Sequence, residues 1–159
     1  MTRWLSDQEQ RAWRGLLELH AEVWTAVARD LQANAGLSLG DYAVLASLSE
    51  APEHRQRVTE LARAIQWERS RLSHQLSRMD KRGLVVRREC PEDARGAFAE
   101  ITARGLEVIA AAAPEHVASV RRHMFDALTP EQVEALAGIS ASVVERLRQS
   151  SSEGMNGST

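Results

Sequence analysis

Residues 70–87 read SRLSHQLSRMDKRGLVVR. Leu72, Leu76 and Met79 recur at i, i+4 and i+7, the spacing of one buried helical face. The positions left facing outward are Ser70, Arg71, Ser73, His74, Gln75, Ser77, Arg78, Lys81 and Arg82, none acidic and none large and apolar. Glu68 and Asp80, one near each end of the predicted helix 68–82, are its carboxylates. A solvated helix face ordinarily mixes both charge signs. This one does not, so it can lie against phosphates without repulsion while offering Arg and short donors to base edges. Gly83 suits the C-terminal stop of the helix.

Upstream, VTELARAI (58–65) carries a short helix with Thr59 as its expected N-cap, and the turn IQWERS (65–70) joins the two. A short helix, a tight turn and a longer polar-faced helix make a helix-turn-helix, whose second helix enters the major groove. Trp67, in the turn, is expected to be buried as a clamp on that helix. Downstream, LVVRR (84–88) and AFAEI (97–101) are short and strand-like, and they flank the loop containing DARG (93–96). Such a hairpin is a wing. Arg95 at its tip can reach a minor groove, where narrow A·T tracts concentrate negative potential. Asp93 would fix the direction of the Arg95 guanidinium, and Gly96 would let the chain turn back.

The charge distribution agrees with a polyanion meeting the middle of the chain. Residues 53–104 hold 12 Lys/Arg against 8 Asp/Glu, whereas the remainder holds 8 against 14. The chain has 159 residues, 43% hydrophobic and 26% charged, an ordinary globular balance for one domain. No apolar run approaches the ~20 residues of a membrane helix, and MTRWLSDQEQ lacks a signal-peptide core, so a cytoplasmic location without membrane contact is expected. The single Cys90 excludes an internal disulfide framework.

Around this middle lie long amphipathic stretches. Ser6 and Glu9 have capping-box spacing, and an apolar stripe from Trp13 to Leu31 predicts a helix over 7–33. LGDYAVLASLSEAP predicts a second helix stopped near Pro52. From 103 to about 128 the composition is helical, but Pro114 predicts a kink or break. Thr129, Pro130 and Gln132 open a last helix, with Leu128 and Val133 placed as a hydrophobic staple. These stripes exceed what one small core can cover, so part of them is expected to face a second copy. The predicted architecture is mainly α with a small β-hairpin wing. One domain spans 1–148, with dimerisation helices at 7–33 and 103–148 and a winged helix-turn-helix lobe at 37–102. The polar stretch 149–159 is expected to be disordered.

At VTELARAI, SRLSHQLSRMDKRGLVVR, DARG and ITARG the chain resembles the MarR family of transcriptional regulators, and the resemblance extends from about residue 7 to 148. It implies a winged-helix homodimer on pseudopalindromic double-stranded DNA operators, usually a repressor released by a small ligand. The turn IQWERS departs from the family, in which many members have Gly and a small polar cap.

The resemblance also implies a ligand cleft between the dimer helices and the DNA-binding lobe. Trp13, Arg14, His20, Trp24 and Tyr42 are the candidate lining, suited to a phenol or aromatic carboxylate. Some relatives sense oxidants through a Cys in the first helix, and this chain has none there. Cys90, at the base of the wing beside Arg87 and Arg88, is the alternative redox site. His116 and His123 lie seven apart but have no Cys nearby, so no metal or other cofactor is expected. An enzyme finds no support: there is no phosphate-binding glycine loop and no nucleophile elbow. A helical adaptor module without DNA binding is the remaining alternative, and the acid-poor face of 68–82 argues against it.

Overall fold

A computed structural model describes residues 2–89 and 96–156, with side chains through Ser150. The chain divides into two units, residues 1–119 and 120–159. In the first, helix α1 (Asp7–Ala35) leads to α2 (Leu39–Glu50), a tight turn at Pro52–His54, strand β1 (Arg55–Arg57), α3 (Val58–Ala64) and α4 (Arg69–Lys81). Strands β2 (Val85–Glu89) and β3 (Ala97–Ile101) follow, then α5 (Ala103–His123), whose last turn enters the second unit. The second unit continues through a turn at Phe125–Ala127 into α6 (Pro130–Asn156).

Three helices open with reciprocal caps. The Ser6 hydroxyl accepts from the Glu9 N–H while the Ser6 N–H donates to the Glu9 carboxylate at 2.7 Å. Ser38 and Asp41 repeat the arrangement at α2, and Thr129 with Gln132 at α6. The expected cap at Thr59 does not form: α3 starts at Val58, which puts Thr59 inside the helix, and Arg57 is its N-cap, with no side-chain bond. Hydrogen bonding of β1 to β3 fixes the chain just ahead of α3 and so sets this start.

The sheet has three antiparallel strands in the order β1-β3-β2. The hairpin of β2 and β3 matches expectation. Sequence patterning does not predict β1, because Arg55, Gln56 and Arg57 show no apolar alternation; pairing with Glu100, Ala99 and Phe98 makes it a strand. Gly83 has φ 71°, the left-handed conformation that ends α4 and lets Leu84 N–H reach back to the Met79 carbonyl. The Thr102 hydroxyl donates towards the carbonyls of Gly83 and Leu84 and accepts from Gly105 N–H. One side chain therefore caps α5 and ties it to the end of α4.

The core of the first unit joins Leu31 and Leu37 to Val44, Leu45 and Leu48 of α2, Leu61 of α3 and Leu72, Leu76 and Met79 of α4. The sheet adds Val85, Ala99 and Ile101, and α5 adds Ile109 and Ala112. Pro114 does not break α5. Pro114 and Ala110, whose carbonyl loses its partner, are both exposed, so water can meet the freed acceptor. α6 continues to Asn156, past the expected end at 148; its serines and Gln149 carry on a helix begun by a full capping box.

Gln66 in the turn before α4 takes φ 55°, a conformation costly for an L-residue with a Cβ. Replacing Gln66 with Gly is expected to raise the free energy of unfolding by about 1 kcal/mol, a gain of roughly 3 °C in melting temperature. Calorimetry of the Gln66→Gly variant checks this; a lowered melting temperature contradicts the strain.

Candidate nucleic-acid interface

α4 is held by its apolar face, with Leu72, Leu76 and Met79 buried as the spacing requires. Ser70, Arg71, His74, Ser77, Arg78 and Lys81 stand on its exposed side, together with Arg69, and Ser73 is half-buried. Gln75 does not face outward. It is 5% exposed, and its amide donates to Asp41 Oδ1 at 2.7 Å. Arg78 in turn donates to the Gln75 carbonyl oxygen. Arg82 is also turned inward at its tip: Nη1 meets Asp41 Oδ2 at 2.7 Å and Nη2 meets the Gly36 carbonyl at 3.0 Å. Gln75 is a correction to the outward placement, whereas Arg82 stays exposed with its guanidinium engaged. Asp41, 3% exposed, is the polar acceptor that draws them in. Burial pushes the Asp41 carboxyl up, but the hydrogen bond and charge of Arg82 and the N–H of Ser38 more than offset this, and it lies below its ordinary value.

Two cations that sequence patterning did not single out join this face. Arg69 opens α4. Arg87 Nη1 donates to the Ser73 hydroxyl at 3.3 Å, so β2 sends a guanidinium across to the helix. The alternation of β2 carried the signal: Val85 is buried, so Arg87, two residues on, points to the same side. The first turn of α4 bears a further contact, with the Arg71 guanidinium carbon 3.9 Å from the Trp67 ring centroid. Trp67 is half-buried, so it does serve as packing, but its ring also carries Arg71. Gly96 leads into β3 half-buried. Asp93, Arg95 and Cys90 lie outside the described residues.

A family model described as the MarR family matches residues 35–96, from the end of α1 through the helix-turn-helix to the wing. The chain is 45% identical to AbsC, a MarR family transcriptional regulator from Streptomyces coelicolor, over 93% of this chain and 99% of that one, with a TM-score of 0.85. The chain belongs to the MarR family. It is also 44% identical to Sco3205, a MarR family regulator of the same organism solved in complex with DNA, covering 92% of each chain with a TM-score of 0.87. The transcriptional regulator HosA of Escherichia coli O111:H- is 33% identical over 101 residues, 64% of this chain and 69% of that one. This MarR-family chain is a transcriptional regulator and not an enzyme. Its fold is the winged helix of those structures, and among the described residues no helix is long and apolar enough to cross a membrane.

The candidate ligand residues of this MarR-family chain are not brought together. Trp13, Arg14, His20 and Trp24 lie exposed along α1, with His20 stacked on Trp24 at 4.6 Å between ring centroids. Only the C-terminal part of α1 packs on the first unit, through Val27 and Leu31, which leaves the earlier turns uncovered. Tyr42 instead meets His116 of α5, ring centroids 4.0 Å apart. Beside them a cleft of about 180 Å³ opens between α1 and α5, lined by Leu31, Asn34, Ala35, Val108, Ala112 and His116 among others. His116 Nδ1 is buried there without a hydrogen-bond partner, and burial lowers the pKa of the ring, so the imidazole is neutral at pH 7.

Proposed function

We propose that the chain is a homodimeric, sequence-specific binder of double-stranded DNA that represses transcription until a small ligand releases it. The observation that carries this is the exposed side of α4, where Arg69, Ser70, Arg71, His74, Ser77, Arg78 and Lys81 stand with Asp80 as the one carboxylate. In a helix-turn-helix the first residues of the second helix meet base edges, so Ser70, Arg71, Ser73 and His74 read sequence while Arg78 and Lys81 neutralise phosphates. Arg95 of the wing, aimed by Asp93, takes the adjacent minor groove in this proposal. The DNA complex of Sco3205 supports the same use of the fold. The test is selection of duplexes from a random-sequence pool at moderate salt. Retention of no preferred sequence overturns the proposal and favours the adaptor alternative.

Two helices support a dimer. Along α1, Trp13, Leu16, Leu17 and Trp24 are about half exposed, and along α6 the same holds for Ile139, Val143 and Leu147. Apolar residues repeated at helical spacing and left in water are ordinarily covered by a partner. Sedimentation at micromolar concentration is expected to give a dimer, and Ile139→Glu with Val143→Glu a monomer. A wild-type monomer at that concentration counts against the proposal.

The cleft between α1 and α5 is the effector site we favour. Its apolar side chains Leu31, Ala35, Val108 and Ala112, set beside Asp30, Asn34, Glu115 and the neutral ring of His116, suit a neutral phenol better than a carboxylate.

A further inference from the structure

The turn between α3 and α4 carries an indole where small polar residues would serve. Its backbone is pinned: Gln66 takes φ 55° and Trp67 N–H donates to the Ala62 carbonyl at 2.8 Å. The ring is then seated by α2. A Cβ added at Gly40 would stand 2.8 Å from Trp67 Cη2, closer than real Cβ atoms come, so glycine at this position admits the indole. The guanidinium of Arg71, one helical turn along, lies over the same ring at 3.9 Å. Backbone, α2 and ring thus form a fixed chain of contacts ending on an exposed arginine in the first turn of α4.

We propose that Trp67 is a positioning residue for Arg71, holding its guanidinium plane ready for a base edge. The inference rests on the proposal that α4 reads DNA. An unstacked arginine samples many rotamers and must give up that freedom on binding, whereas a stacked one has already done so. A planar cation on an aromatic face is also less hydrated, which lowers the cost of leaving water. The indole touches no phosphate and adds no charge. Its effect therefore falls on discrimination between sequences and leaves the salt dependence of binding alone.

The experiment compares wild type, Trp67→Leu, Trp67→Phe and Arg71→Ala, using the duplex selected by the wild type and a scrambled duplex of the same composition. Trp67→Leu is expected to lower the ratio of the two affinities by about fivefold, with an unchanged salt slope. Trp67→Phe should keep most of the ratio. In the Arg71→Ala background, Trp67→Leu should cost nothing further, because the indole acts through the arginine. Without DNA, the Arg71 side-chain protons should show an upfield ring-current shift in NMR spectra that Trp67→Leu removes. If Trp67→Leu does not fold, Trp67→Met replaces it. An unchanged or increased ratio in the leucine variant overturns the proposal, as does an equal loss in the Arg71→Ala background. A wild type that selects no duplex overturns the DNA reading itself, a separate outcome.

Discussion

Asp41→Ala is expected to lower the free energy of unfolding by about 3 kcal/mol, the lower end for breaking a buried charge pair. Oδ1 of Asp41 accepts from Gln75, and Oδ2 accepts from Arg82 at 2.7 Å and from Ser38 N–H at 2.9 Å. Alanine strands the buried Gln75 amide and opens the N-cap of α2 in one step. The Arg82 side chain is 42% exposed, so water takes up part of its loss, which is why the lower end applies. The melting temperature should fall by roughly 10 °C. The pH dependence has a definite sign. The Asp41 carboxyl titrates below its unfolded value. Its contribution is therefore complete above the unfolded carboxylate pKa near ~4 and is lost as pH falls through the lower folded value. Melting temperatures of wild type and variant should draw closer together as pH falls below the unfolded carboxylate pKa. A variant melting within about 2 °C of wild type at pH 7 would show that the cluster holds nothing together.

Arg71→Ala and Lys81→Ala are expected to injure DNA binding in different ways. Arg71 lies in the first turn of α4, where a helix-turn-helix meets bases, and a bidentate arginine contact is worth about 1–3 kcal/mol of discrimination. Its loss should reduce affinity for the preferred duplex by one to two orders of magnitude, roughly, and barely alter binding to scrambled DNA. Lys81 is in the last turn and exposed. Its replacement should weaken all duplexes alike and reduce the salt slope by about one counterion. Anisotropy titrations at several salt concentrations separate the two. Equal effects on specificity from both variants would dissolve the assignment of bases to one end of α4 and phosphates to the other.

Much of this molecule can be read from local spacing. Leu72, Leu76 and Met79 repeat with the helical period, Gly83 supplies the left-handed stop, and Ser6 with Glu9 and Thr129 with Gln132 satisfy one another within four residues. Such features depend on neighbours along the chain, so helices, caps and the wing strands are legible without a fold. The direction in which Gln75 points is different. Positions 72, 75, 76 and 79 are i, i+3, i+4 and i+7, so the helix itself turns Gln75 towards the core; its polarity argues for solvent. The contest is decided by Asp41, 34 residues earlier, which supplies a buried acceptor at 2.7 Å. Arg82 is claimed by the same carboxylate and by the Gly36 carbonyl.

The strand β1 and the stacking of Trp67 have the same origin. Arg55–Arg57 has no pattern of its own and becomes a strand because β3 offers it an edge. Trp67 can lie where it does because Gly40, on another helix, leaves the space. Sequence by itself determined which segments form helices, where α4 stops and that its outward face is poor in acid. Tertiary structure alone decided which polar side chains on that face remain available to a partner, because a polar group is drawn into a protein only where a distant residue replaces the water it gives up.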